Sequence, residues 1–234
     1  MTKVKAVALQ TARNGSVGVK NKNTLNVKGK PLFLHNLIHL NNSKLVDAVY
    51  FSTDIPEAKA YSEEFNYTVI DRPDYLAGAD SSHYDAMKHG VNAILEENDF
   101  EYLVITLGNS MGAFPEDIDD CINFLDEHPE YDSCQSVAEH NWHTPLRACR
   151  IIDDELVSYI TEHDSKNPND RKSLGDIYFF NGSFFVIRKQ VFLDYNGTLP
   201  FKWGGNKIKP FIQDQTFMEL DSNWQKIIFE KNDD

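Results

Sequence analysis

The sequence predicts an α/β domain of three layers, a mostly parallel sheet with helices on both faces. Three observations predict it. Short apolar runs that suit buried strands alternate along the chain with stretches of helical period. A polar, glycine-containing loop follows the first apolar run at once, where sheets of this kind bind ligands past their strand ends. Hydrophobic residues make up 41% of 234, enough for one sizeable core.

The elements follow in order. Residues 4–9 form the first strand, and the loop 11–23 leaves it. Pro31 opens a helix that carries Leu32, Leu34, Leu37, Ile38 and Leu40, proline being favoured in a first turn. Residues 46–52 are a second strand, ended by Thr53 and Asp54. Residues 56–65 read as a helix and 67–70 as a short strand. Asp80, Ser81 and Ser82 are N-cap candidates for a helix with Tyr84, Met87, Val91, Ile94 and Leu95 on one face. Residues 102–107 are another buried strand. Pro115, Glu116 and Asp117 open a helix with the stripe Ile118, Cys121, Ile122 and Leu125. Residues 133–137 and 146–152 are further strands. Residues 161–176, rich in Asp, Asn and Lys, predict a loop or a small excursion. Residues 177–187 are rich in aromatics and interrupted by Asn181-Gly182. Asp221 or Ser222 caps a final helix with Trp224, Ile227 and Ile228.

Composition narrows the function. Lys and Arg number 23 against 36 Asp and Glu, a formal net charge of −13. Such a chain repels a phosphate backbone, so no nucleic-acid partner is expected. Cys121, Cys134 and Cys149 show no C-x-x-C spacing, which argues against a zinc site or disulfide framework and for a reducing compartment. No run approaches the roughly 18 apolar residues of a membrane span, and the N-terminal run reads as a strand rather than a signal core. A cytoplasmic protein without a membrane partner is the expectation.

The loop carries the chemistry. Gly15 and Gly18 let the backbone of Arg13-Asn14-Gly15-Ser16-Val17-Gly18 turn tightly and present N–H groups to an anion. Arg13 adds a planar donor fork, and Lys20 and Lys22 add point charges. These parts suit a polyphosphate. No Gly-Lys-Ser/Thr ends the loop, so it is not a Walker P-loop, and it lacks the G-x-G-x-x-G pattern.

The stretch from Ala12 to Asn23, followed by Gly29-Lys30-Pro31-Leu32, resembles the opening of the acylneuraminate cytidylyltransferases, the CMP-sialic acid and CMP-nonulosonic acid synthetases. The CMP-Kdo synthetases are more distant relatives. Ser52-Thr53-Asp54, Arg72-Pro73 with Leu76-Ala77, Ser81-Ser82, His143 with Pro145, Asn181-Gly182 and Glu219-Leu220-Asp221 extend the resemblance along the chain.

The resemblance implies a Rossmann-like, GT-A-type nucleotidyltransferase fold in one domain over residues 1–234. A small dimerisation or lid excursion would lie within about 140–175. It implies transfer of CMP from CTP to the hydroxyl of an acidic sugar, with release of pyrophosphate, Mg²⁺ as cofactor and a homodimer. Arg13, Gly15, Ser16 and Lys22 would hold the triphosphate, and Asn23, Arg72 and Ser82 would lie by the cytidine. Asp221 and Glu219 would bind Mg²⁺. Arg13, Lys22 and Asp221 would be catalytic, and Asn109, Ser110, His143 and Asn181 would meet the acceptor.

Three departures qualify what the resemblance implies. Val17 stands where the family has a basic residue. Glu219 replaces the first Asp of a D-x-D. Leu107-Gly108-Asn109-Ser110-Met111-Gly112 replaces a Q-P-T-S-P-like stretch that helps bind the sugar. An altered lining implies an altered acceptor, because polar sites reject ligands that leave a group unpaired. Two alternatives stand beside the sugar acid: a non-sugar acceptor such as a phosphonate, and a non-catalytic nucleotide-binding protein of the same fold.

Overall fold

The computed structural model describes residues 2–15, 18–78, 80–141, 145–160, 175–214 and 217–231. The first half comprises β1 (Thr2–Thr11), a small antiparallel pair of β2 (Asn26–Val27) and β3 (Lys30–Pro31), α1 (Leu32–Asn42), β4 (Ala48–Thr53), α2 (Ala58–Ser62), β5 (Thr68–Asp71) and α3 (Asp74–Ala77). Then come α4 (His83–Glu97), β6 (Asn98–Leu107), α5 (Pro115–Glu127) and β7 (Ser133–Glu139). The hairpin β8 (Cys149–Ile152) and β9 (Glu155–Ser158) precedes β10 (Tyr178–Arg188), α6 (Lys189–Asp194), β11 (Ile208–Gln213) and α7 (Lys226–Lys231).

Seven strands form one sheet in the order β11-β7-β10-β6-β1-β4-β5. β1 runs parallel to both β4 and β6, β5 extends that parallel half, and β11 is parallel to β7. Only β10 is antiparallel to its neighbours. The sheet is therefore mostly parallel. The chain builds outward from β1 on one side through β4 and β5, then returns to its other side with β6. β1 is thus a switch point, where a crevice opens past the strand ends.

Alternation along β1 divides the core between two layers. Ala6 and Ala8 face Phe33, Leu34 and Leu37 of α1 and Ile118, Cys121 and Leu125 of α5. Val7 and Leu9 face Met87, Val91 and Ile94 of α4 and Phe192 of α6. Alanines on the first face leave room for the larger residues of α1. The stripes read in α1, α4 and α5 are the faces buried here. Ser82 caps α4, its hydroxyl accepting from the Asp85 N–H at 3.3 Å.

Some elements differ from the sequence reading. α2 covers only Ala58–Ser62 within the expected 56–65, with turns on either side and Asn66 at φ 50°. The strand expected over 146–152 begins at Cys149, because Pro145–Arg147 makes a tight helical turn. The last helix is a short turn over Asn223–Gln225, capped by Ser222, that runs into α7. Trp224 and Ile227 are exposed on it rather than forming a buried stripe; Phe229 supplies the buried contact. β11 and α6 have no counterpart in the sequence reading. β11 is an edge strand containing Pro210, half exposed and without a clean alternation. Residues 161–174 of the predicted excursion lie outside the described residues. Among the described residues no helix is long and apolar enough to cross a membrane.

One side chain fastens the end of α5 to the sheet. Arg188 donates to the carbonyls of Tyr131 (2.8 Å), Leu125 (2.5 Å) and His128 (3.3 Å) and to the Tyr102 hydroxyl (3.2 Å). These carbonyls lie in the last turn of α5 and the segment just after it, where helix carbonyls run out of intrahelical partners. Arg188→Ala is expected to cost about 2–4 kcal/mol, the range for losing several charge-assisted bonds. Arg188→Lys should recover little of it, since an ammonium cannot span the fork. Urea denaturation of the three proteins checks this.

Candidate functional site

Two cavities meet beyond the C-terminal end of β1. The first, about 260 Å³, is lined by Thr11, Ala12, Arg13, Lys22 and Asn23 from the first loop. Arg72, Leu76, Gly78, Ser81, Ser82, His83 and Ala86 line its other end, and Leu107, Asn109 and Glu219 its floor. The second, about 470 Å³, is lined by His140, Phe179, Phe180, Asn181, Met218, Glu219, Asp221, Trp224 and Gln225. Glu219 belongs to both.

The loop after β1 is fixed by residues the sequence singled out as motifs. The Asn14 N–H donates to Asp54 at 2.6 Å, the Ala12 N–H to the Ser52 carbonyl at 3.3 Å, and Asn23 to the Arg13 carbonyl at 2.8 Å. Ser52-Thr53-Asp54 is thus a backbone clamp for the loop. The Ser52 carbonyl also accepts from Arg72 at 2.9 Å. Arg13 reaches the Ala77 carbonyl at 3.5 Å, a weak bond that leaves most of its donor fork available. Gly15, at φ 74°, lines a narrow recess beside Arg13 and Lys22.

The opposite wall comes from the chain's C-terminal part. Lys22 forms an ion pair with Asp221, and Asn109 donates to the same carboxylate oxygen at 3.2 Å. A Cβ at Gly18 would collide with the Asp221 carbonyl, so only glycine lets the loop lie against this segment. Gly182, at φ 72°, stands in the same relation to Glu219: any side chain there would run into the carboxylate. The Asn181-Gly182 motif thereby makes space for an acid. Gln225 accepts from the Asp221 and Ser222 N–H groups at 2.9 and 2.6 Å and donates to the Glu219 carbonyl at 2.8 Å. Sequence reasoning missed Gln225; its signal was the S-x-x-Q capping box with Ser222.

The electrostatics differ along the cleft. Burial, reinforced by the neighbouring Asp221 charge, pushes the Glu219 carboxyl up to about 7, while Lys22 and a bond to Asn109 act against the rise. Two adjacent carboxylates offer oxygen donors, the chemistry of a hard cation, and the Asn109 N–H₂ group is turned toward them. Among the described residues no group of three or more His, Cys, Asp or Glu could hold a metal. This pair matches an ion held by one or two carboxylates and by substrate phosphates, as Mg²⁺ is. At the other end, burial and then the Arg72 guanidinium hold His83 neutral, its pKa lowered although the residue keeps an exposed face toward the cleft. His83 had no place in the sequence reading.

The predicted site residues are distributed unevenly. Arg13, Lys22, Asn23, Arg72, Ser82, Asn109 and Glu219 line the first cavity, and Asn181, Glu219 and Asp221 the second. Ser110 does not reach either. It is fully buried, accepts from Asn36 at 3.1 Å and sits 3.2 and 3.1 Å from the Leu107 and Gly182 carbonyls it bonds, so its hydroxyl is occupied within the frame. The expected acceptor contact of Ser110 is corrected to a structural one. Ser16 and His143 lie outside the described residues.

Arg13 and Lys22 thus face a pair of acids across a cleft at the sheet's switch point, the place where open α/β sheets bind their ligands. The chain belongs to the cytidylyltransferase family, whose profile matches residues 7–228. The N-acylneuraminate cytidylyltransferase of Escherichia coli O18:K1:H7 (strain RS218 / NMEC) is 26% identical over 191 residues, 82% of this chain and 44% of that protein. The N-acylneuraminate cytidylyltransferase of Streptococcus agalactiae serotype V (strain ATCC BAA-611 / 2603 V/R) is 25% identical over 192 residues, 81% of this chain and 45% of that protein. The chain thus spans less than half the length of these relatives. A solved CMP:2-keto-3-deoxy-manno-octonic acid synthetase complexed with CTP superposes with a TM-score of 0.65 at 14% identity, covering 96% of this chain and 97% of that one. The 4-diphosphocytidyl-2C-methyl-D-erythritol synthase of Anaerococcus prevotii DSM 20548 gives 0.65 at 14%, covering 98% of each. These two structures share the fold.

The Glu219 shift has a testable sign. Its folded pKa lies above the ordinary 4.5, so the folded chain holds the proton more tightly than the unfolded chain. This contribution to stability is complete below about pH 4.5 and is lost as pH rises through about 7. In metal-free buffer, Glu219→Gln should remove that decline. Melting temperatures at pH 5 and pH 8 should converge for the variant relative to wild type.

Proposed function

We propose that this chain binds CTP in the first cavity and transfers its CMP unit to a hydroxyl of an acidic sugar of nonulosonic-acid type, releasing pyrophosphate. The observation that carries this reading is the position of Glu219, which lines both cavities, so that the acidic pair stands where nucleotide and acceptor would meet. Family membership supports CTP as the nucleotide, and the names of the bacterial relatives support a sugar acid as acceptor.

In this reaction the acceptor oxygen attacks the α-phosphorus, the bond to the bridging oxygen breaks and pyrophosphate leaves. Arg13, Ser16 and Lys22 hold the phosphate oxygens, and Arg13, Lys22 and Asp221 are the catalytic residues. Asn23 keeps the loop in shape through the Arg13 carbonyl. Arg72 and Ser82 lie at the base end. Most of the rate comes from positioning and from donors aimed at developing charge. Asp221 and Glu219 would hold Mg²⁺, which neutralises phosphate charge when bound. Asn181 on the wall of the second cavity and Asn109 on that of the first are kept as acceptor contacts from the sequence reading.

A second acceptor class is favoured by a specific observation. Among the described residues, the second cavity is lined by Phe179, Phe180 and Trp224 and by no Lys or Arg. This lining suits an acceptor with an apolar face and little charge.

Pyrophosphate release with Mg²⁺, each of the four nucleoside triphosphates and a pool of acidic sugars tests the proposal. Release is expected with CTP alone and about a hundredfold lower in Arg13→Ala, the worth of a charge-assisted bond made to the reacting phosphates. Release only with a pool of neutral or non-sugar acceptors would move the conclusion to the second class. No release from any pool, with no thermal shift on CTP, would sink the enzyme reading.

A homodimer belongs to the same proposal. The hairpin β8–β9 is exposed throughout, with Ile151 at 75% and Leu156 at 78% of their free surface, more apolar exposure than a lone hairpin keeps without a partner. Light scattering should give twice the chain mass for wild type. The double variant Ile151→Ser with Leu156→Ser should give the single mass while keeping the circular dichroism of the folded chain.

A further inference from the structure

Arg72, Leu76, His83 and Ala86 line the base end of the first cavity. Arg72 is 8% exposed. Its Nη2 donates to Ser52, yet its Nε–H is buried and has no partner. An orphaned buried donor is costly to keep. His83 is the first residue of α4, carried there by the Ser82 cap, and its Nε2 lies 2.9 Å from the Thr11 hydroxyl at the end of β1.

The proton on that bond has a preferred place. Thr11 is 5% exposed. If the ring donated to it, the hydroxyl proton would be left unpaired in a buried site. If the hydroxyl donates to Nε2, both groups are satisfied, and the neutral ring carries its proton on Nδ1. Burial and the Arg72 charge keep the ring neutral, as this arrangement requires. His83 Nδ1 is then an N–H donor beside the Arg72 guanidinium, both residues lining the first cavity. Cytosine presents adjacent acceptors at N3 and O2, whereas uracil carries a proton on N3 and would set donor against donor.

We propose that His83, oriented by Thr11, reads the pyrimidine edge together with Arg72 and selects cytosine over uracil. The proposal rests on the cleft holding a cytidine nucleotide as read above. His83 touches the base, and Thr11 is a positioning residue that acts through it.

Titration calorimetry with CTP and with UTP, on wild type, His83→Ala, His83→Asn and Thr11→Val, each shown folded by circular dichroism, tests it. Wild type is expected to favour CTP. His83→Ala should raise the CTP Kd about tenfold, the worth of one hydrogen bond, and leave UTP within about twofold. His83→Asn, whose amide N–H₂ occupies the place of Nδ1, should keep most of the preference. Thr11→Val should lose part of it. Equal weakening of CTP and UTP in His83→Ala, or CTP binding unchanged from wild type, would overturn the proposal. Wild type that binds no CTP would overturn the nucleotide reading itself, and this one with it.

Discussion

The ion pair between Lys22 and Asp221 joins residues 199 positions apart, and the cleft exists because they meet. One wall of the cleft is the loop after β1; the other is the segment from Met218 to Asp221. Neither is part of the sheet. Both are held by a small apolar cluster in which Val19 packs with Val27, Leu32, Leu220 and Phe229. Val19 follows Gly18 and Leu220 precedes Asp221, so the buried pair brings the polar pair into register. Gly18 completes the contact by having no side chain to hold the Asp221 carbonyl away. A single exposed ion pair is worth little. This one matters as the polar rim of a buried apolar joint.

The charge pattern follows from that joint. The chain is acidic overall, yet Arg13, Lys22 and Arg72 converge on one cleft, where low dielectric walls strengthen their field toward a phosphate. Across from them Glu219 and Asp221 repel each other, and the rise of the Glu219 pKa expresses that repulsion together with burial. A site with cations on one wall and crowded carboxylates on the other is suited to an anionic ligand and a hard cation together. Each alone would leave one wall uncompensated.

Much of the frame was legible because burial imposes period. The stripes of α1, α4 and α5 and the inner strands β1, β4 and β6 are buried on one or both faces, and their patterns survive in the sequence. Where burial is partial, the pattern blurs. β11 carries a proline and alternates poorly, α6 is six residues long, and Trp224 and Ile227 are apolar yet exposed. The polar motifs were legible as positions but not as roles. Ser52-Thr53-Asp54 proves to be a clamp on loop backbone, and Asn181-Gly182 a clearance for Glu219. Ser110 reads as a polar residue in a substrate stretch, and only its neighbours Asn36, Leu107 and Gly182 reveal that its bonds are already made.

The sequence by itself determined the layered α/β frame, the glycine-containing loop after β1 and the residues that resemble a cytidylyltransferase, because hydrophobic period and local turn chemistry are written within a few residues of one another. Tertiary structure decided which of those residues share a cleft, that Glu219 belongs to two cavities, and that His83 and Gln225 line them. Those facts depend on contacts such as Thr11 with His83, 72 positions apart, and Lys22 with Asp221. A hydrogen bond or an ion pair needs two groups within a few ångströms, and no local pattern in the chain records which distant partner will supply the second.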